Sequence, residues 1–170
     1  MELTDGVVTL RPPVTGDAPL IADAVQSSLA TLSAWLPWAT PDYSAAGALA
    51  WVDAAREAGR HSFLIRDGAG TIVGTCGLQH ADVPNSCVQL GYWIARAHEG
   101  RGHATRGARL AIDHALSTLG FHRVEILISV HNSPSQRVAQ RLGARLEARL
   151  SERLSVRGGW HDALLYAVVA

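Results

Sequence analysis

The chain has 170 residues, 48% hydrophobic and 18% charged, which suits one globular domain over residues 1–170 with a sizeable core. Its 15 basic and 15 acidic residues cancel, so charge makes no general case for a nucleic-acid or membrane partner. Two cysteines make no disulfide framework, the eight histidines show no zinc-type spacing, and no apolar run reaches membrane length; free thiols, no metal and a cytoplasmic location are the expectations.

Val7-Val8-Thr9-Leu10-Arg11 alternates and then meets Pro12-Pro13, which predicts a first strand and its end. Thr15-Gly16-Asp17 offers helix caps, and Leu20, Ile21, Ala24, Val25 and Leu29 recur at helical spacing. Trp35-Leu36-Pro37-Trp38 implies a fixed, irregular segment. It reads either as a hydrophobic plug on the core or as the aromatic wall of an acceptor pocket. Ser44 is placed to cap a second helix running through Ala58. Residues 62–66 predict a strand, Asp67-Gly68-Ala69-Gly70 a hairpin turn, and residues 71–80 the next strand. Residues 87–94 alternate again, with Val88, Leu90, Tyr92 and Ile94 on one face.

The stretch His98-Glu99-Gly100-Arg101-Gly102-His103-Ala104-Thr105 joins this strand to a helical run ending near Leu119. A glycine-bearing turn that opens a helix is an anion site, because the first helical N–H groups have no partner within the helix. Gly100 and Gly102 permit close backbone approach, and Arg101 and Arg106 add positive charge. The Lys of the nucleoside-triphosphate loop is missing, and so is the glycine spacing of the dinucleotide fingerprint. Residues 124–130 are strongly β-branched and predict a central strand parallel to the one before the helix. Ser133 is expected to cap the next helix with Pro134 at its first position, and Gly143 to end it. Residues 146–156 and 160–169 form a last hairpin over Arg157-Gly158-Gly159. The predicted order is β-α-α-β-β-β-α-β-α-β-β.

The turn at 98–105 resembles motif A of the GNAT acetyltransferases, Gln/Arg-x-x-Gly-x-Gly/Ala. Gly102 and Ala104 match its last two positions, and Glu99 stands at the Gln/Arg position. The whole predicted order is that of the family. The resemblance therefore implies an α/β fold with a mixed, mostly antiparallel, seven-stranded sheet, splayed between two parallel strands and flanked by helices. Leu10-Arg11-Pro12, Trp35-Leu36-Pro37-Trp38, Gly91-Tyr92-Trp93-Ile94, Asn132-x-x-Ser135 and Trp160-His161-Asp162 are similar to the RimL-like branch, which acetylates protein N-termini and some small amines.

That likeness implies acetyl-CoA as the donor and CoA as product. Gly100, Arg101, Gly102, His103, Ala104, Thr105 and Arg106 would hold its pyrophosphate. Trp93, Ile94 and Ala95 would run along its pantetheine, with Asn132 and Ser135 beside it. Ser135 sits where the branch places a hydroxyl for the departing thiolate, or else is a second capping hydroxyl. The acceptor is a primary amine, of a protein N-terminus or of a small molecule, with Trp35, Trp38 and His80 as its expected contacts. Many family members carry a Glu base two residues before Gly-Tyr-Trp; here that position is Gln89. Glu152, Glu125 and His80 are the candidates left, with Glu152 the expected catalytic carboxylate beside Ser135. Gln89 and Glu99 also fit a second reading, an acyl-CoA-binding or regulatory module without efficient turnover. Five Trp, three Tyr and two Phe exceed what one pocket needs, which makes a homodimer an expectation.

Overall fold

The computed structural model describes residues 1–57 and 60–170; the expected helix end at Ala58 lies outside them. The strands are β1 (Leu3–Thr4), β2 (Val8–Arg11), β3 (His61–Asp67), β4 (Ile72–Asp82), β5 (Cys87–Ile94), β6 (Arg123–Ser129), β7 (Arg145–Val156) and β8 (Gly159–Val169). The helices are α1 (Ala18–Gln26), α2 (Leu29–Leu32), α3 (Ala45–Ala55), α4 (His103–Ser117) and α5 (Ser133–Arg141), with short 3-10 turns at Thr15–Asp17 and Arg96–His98. One sheet runs in the order β1-β2-β3-β4-β5-β6-β8-β7. It is eight-stranded, not seven-stranded as expected. The added β1 is two residues long and pairs Leu3 with Leu10 and Thr4 with Thr9, too short to show as a sequence pattern. Among the described residues, no helix is long and apolar enough to cross a membrane.

Every neighbouring pair is antiparallel except β5 and β6. Those two are parallel and pair only at Cys87–Arg123, Val88–Val124 and Gln89–Glu125. Beyond Gln89 the strands part. On the other side, β5 stays tightly bound to β4. A Cβ on Gly74 would lie 2.1 Å from the carbonyl oxygen of Trp93, so this approach admits only glycine.

Both faces of the sheet are covered. On one, Val8, Ile65, Leu90, Val124 and Ile126 pack with Ala108, Ala111 and Ile112 of α4. On the other, Leu64 and Trp93 pack with Ile21 and Val25 of α1 and Val52 of α3. The second layer is tied to the sheet by Arg11, which donates to both carboxylate oxygens of Asp17 at 2.8 and 2.6 Å. Asp17 is buried and also accepts the Val14 N–H at 2.7 Å. The Arg11 guanidinium, together with that backbone bond, holds its carboxyl below the usual range. Both cysteines are free thiols, Cys76 buried and Cys87 half-buried.

The end of α5 differs from expectation in one respect. Asn132, not Ser133, is the cap: its side-chain oxygen accepts the Ser135 N–H at 3.2 Å, and Ser133 is already the first helical residue. Asn132-Ser133 offers two capping side chains in succession, and spacing alone did not choose between them.

His114 of α4 is buried edge-on between Phe63 and His61, with ring centroids 6.1 and 6.0 Å away. Neither of its ring nitrogens has a hydrogen-bond partner among the described residues. Burial, and then the neighbouring His61, push its pKa down, and burial alone does the same to His61. The folded protein therefore holds both rings neutral where the unfolded chain would take up protons. Stability is present above the unfolded value and is lost as pH falls below it. The urea midpoint is expected to drop between about pH 7.5 and about pH 5.5, and to drop less in His114→Leu. Chemical denaturation at a series of pH values measures this; an unchanged slope in the variant would remove His114 from the account.

Candidate active site

Three features meet along β5. The first is the turn that follows it. Gly100 and Gly102 have φ of +73° and +81°, the left-handed region where a side chain would be strained. Gly102 is the residue before α4, and no side chain caps that helix start. A Cβ at either glycine would meet nothing within 4 Å, so open space lies before the helix N-terminus. His103 at the first helical position is buried, with its Nδ1 unpartnered among the described residues, as is Nδ1 of His98; the two rings lie 6.2 Å apart across the turn. Glycine backbone and uncapped N–H groups fit an anionic, phosphate-type ligand. Ala104 and Thr105 continue the first turn of α4 half-buried, while Glu99 and Arg101 are exposed. Arg106 is committed elsewhere: its Nη1 donates to Asp5 at 2.7 Å.

The second feature is the gap between β5 and β6. The Ala95 N–H donates to the Val73 carbonyl at 2.8 Å, which fixes the alternation of β5. The backbones of Trp93 and Ala95 are thereby turned to β4, while those of Leu90, Tyr92 and Ile94 face the gap. Of the three residues expected along an extended ligand, Ile94 alone offers gap-facing backbone.

Across the gap stands the first turn of α5. The Tyr92 hydroxyl lies 2.8 Å from Ser135 Oγ and donates at 3.3 Å towards the Ser135 carbonyl. Burial pushes the Tyr92 phenol up to about 12, against a smaller opposing effect of the Ser135 bond. Tyr92 therefore keeps its proton at neutral pH and can donate to Ser135, leaving the serine proton for a group in the gap. The alternation places Tyr92 on one face with Val88, Leu90 and Ile94 and does not name its partner. The signal available was its hydroxyl, since a buried tyrosine on an apolar face still needs a polar partner.

The third feature is a cavity of about 710 Å³ lined by β4, β5 and the segments around α3. Trp38, Tyr43, Trp51 and Trp93 line it. Trp38 lies 5.5 Å from Tyr43 and 6.2 Å from Trp93, all tilted. Small residues of the sheet, Thr75, Gly77 and Gly91, also line it, and Arg60, His61 and His80 contribute nitrogen-bearing side chains. His80 sits where the β4–β5 register shifts, with φ of +52°, an extra residue that re-aims its side chain. The cavity meets the gap at Tyr92 and Trp93, while residues 98–106 do not line it. Trp38 belongs to it and Trp35 does not. Tyr43, Trp51, Arg60 and His61 share no motif: Trp51 is in α3, His61 in β3, and Tyr43 and Arg60 lie just before those elements.

Glu152 is not part of this constellation. It is exposed, in an irregularity of β7 with φ of +47°, and its N–H is held by Asp162 at 2.9 Å. Glu125 is tied to Arg123 at 2.8 Å. Gln89 lies between Gln79 and Glu125 in register. Among the described residues no group of three or more His, Cys, Asp and Glu is gathered to hold a metal.

A model of the acetyltransferase (GNAT) domain matches residues 8–145. The uncharacterized N-acetyltransferase p20 of Bacillus licheniformis is 30% identical over 79 residues, 46% of this chain and 44% of that protein. The chain spans about half the length of the curated relatives it matches. Among solved structures, Mycobacterium smegmatis RimJ in complex with CoA-disulfide is 28% identical with a TM-score of 0.87, covering 100% of this chain and 86% of that one. RimL, a ribosomal L7/L12 alpha-N-protein acetyltransferase in complex with coenzyme A, is 20% identical with a TM-score of 0.91, covering 99% of this chain and 98% of that one. At that identity the likeness is one of fold.

Proposed function

The chain belongs to the GNAT acetyltransferase family, and on that basis we propose that it transfers an acetyl group from acetyl-CoA to a primary amine. The observation that carries the reading is the unpaired edge of β5 running into an uncapped helix start. It supplies free backbone for an extended arm and N–H groups for a pyrophosphate in one line. Gly100, Gly102, His103, Ala104 and Thr105 would hold the pyrophosphate. The gap-facing backbones of Tyr92 and Ile94 would hold the arm, and the side-chain NH₂ of Asn132 remains to assist after its oxygen has capped α5. Acetyl-CoA supplies the activated thioester.

The amine attacks the thioester carbonyl, a C–N bond forms and the C–S bond breaks. A gap-facing N–H of β5 is suited to the developing oxyanion. The Ser135 hydroxyl gives a hydrogen bond to the departing thiolate, which takes its proton from water, while the Tyr92 hydroxyl, 2.8 Å from Ser135 Oγ, keeps its own proton and orients the serine. The proton lost by the amine goes to an imidazole of the cavity, His80 or His61, or to water. Burial against aromatic walls also lowers the pKa of the amine itself. The reading without turnover is favoured by one observation: no carboxylate lines the cavity among the described residues. Release of CoA thiol from acetyl-CoA in the presence of amines separates the two.

CoA is expected to raise the melting temperature of the wild type and of Gly102→Ala, and not that of Gly102→Glu, whose side chain fills the open space with a like charge. The alanine variant is itself expected to lose about 1 kcal/mol from left-handed strain. Undiminished CoA stabilisation of Gly102→Glu would put the cofactor elsewhere.

Ser135→Ala is expected to lower kcat by about 10²-fold with acetyl-CoA affinity nearly unchanged, because the bond strengthens in the transition state. Tyr92→Phe should lower it by roughly 3- to 10-fold, the worth of one neutral hydrogen bond. If Tyr92 acts through Ser135, the double variant is no slower than Ser135→Ala. Steady-state kinetics on folded variants measures all three; additive losses would separate the two hydroxyls.

A further inference from the structure

We infer that the acceptor cavity selects a small amine with an aromatic body and an anionic group, carboxylate or phosphate, and rejects polycations. This deepens the acetyltransferase reading and rests on it.

The cavity volume of about 710 Å³ is that of a small-molecule site. Its lining includes six aromatic rings, among them Trp38 tilted against Tyr43 and Trp93, and such rings are suited to pack against a planar guest. Its charge is one-sided. Arg60 is among the lining residues, and no Asp or Glu is among the described ones. The two residues before Arg60, Ala58 and Gly59, carry no carboxylate either. Glu57 takes the Nε of Arg60 at 3.1 Å, which leaves the terminal guanidinium nitrogens to grip an anion. His61 and His80 add two imidazole rings able to donate or accept hydrogen bonds.

A second ammonium in this space would be stripped of water with no carboxylate among the described lining residues to meet it, Glu57 being held by Arg60 itself. An anionic group would find a charge-assisted partner there. Binding such a guest also serves the reaction. Its reacting amine, held near a guanidinium and among apolar rings, gives up its proton more readily than in water. A carboxylate base at the position of Gln89 is then dispensable.

Two readouts test this. The first is calorimetric binding of acetylated products, which needs no turnover: N-acetyl-L-tryptophan, its neutral amide, and N1-acetylspermidine. The acid is expected to bind roughly 10-fold or more tighter than the amide, and the spermidine derivative not at all. The second is CoA release with L-tryptophan, tyramine O-phosphate, tryptophanamide and spermidine. The two anionic amines are expected to lead in kcat/KM, and their ratio tells carboxylate from phosphate. Arg60→Gln should abolish the anionic preference, and Arg60→Glu should reverse it.

Spermidine as the best substrate, equal binding of acid and amide, or an unchanged ranking in Arg60→Glu would overturn the inference. Anionic preference in binding with no CoA release from any amine would instead overturn the transfer reading and leave the selectivity of the cavity standing.

Discussion

The structure depends on a pairing that stops. β5 and β6 hold register for three residue pairs and then part, while the strands outside them stay bonded to their neighbours. The reason lies on both sides of the break. β5 is drawn to β4 by the close contact at Gly74, and β6 is drawn to β8 over seven pairs, from Arg123–Val169 to Ser129–Ala163. Neither strand is free to follow the other. A bare strand edge within a sheet would ordinarily invite another strand. Here the opening is spanned by side chains, Tyr92 from the strand and Ser135 from the helix that follows β6. The opening thus retains its backbone groups for a ligand while its width is set by protein.

That arrangement separates two jobs by strand parity. Odd residues of β5, Gly91 and Trp93, commit their backbones to β4 and line the cavity together with Val88 and Tyr92. Even residues put Tyr92 towards α5 and leave its backbone to the gap. One strand therefore offers an apolar wall to one guest and hydrogen-bonding groups to another, and the two guests meet where the side-chain sets change over. A shift of register by one residue would exchange the two sets. The tight fit at Gly74 guards against that shift.

Much of this was legible in the residues. The alternation of β5, the glycines of the turn and the branched run of β6 predicted the parallel pair, and β5 begins and ends at the residues expected. What escaped had local reasons. β1 is too short to have a period. α2, Leu29–Leu32, is a single turn just before the Trp-Pro segment, and of that segment's two tryptophans only Trp38 lines the cavity. Glu152 looked available because charge in a strand says nothing of which way an irregular strand turns it. Arg106 looked like a phosphate ligand because its partner, Asp5, is about a hundred residues away in sequence. The cavity itself was the least legible feature. Its aromatic rings come from four separate segments, and no spacing joins them.

The strand order also dictates a history of assembly. β8, residues 159–169, is not an edge strand; it lies between β6 and β7. Until it arrives, β6 presents an open flank of Val124, Ile126, Leu127 and Ile128, rich in β-branched residues and ready to pair with any exposed strand. β3, β4 and β5, which lead to the anion turn, can form first from near-neighbour hairpins. The flank of β6 must wait for β8, and then closes by a non-local pairing of the kind that slows folding. During synthesis the exposed β6 is the point where a nascent copy is most open to misassociation. A truncation that removed residues 159–169 would not trim a border. It would excise an interior strand and detach β7 with it.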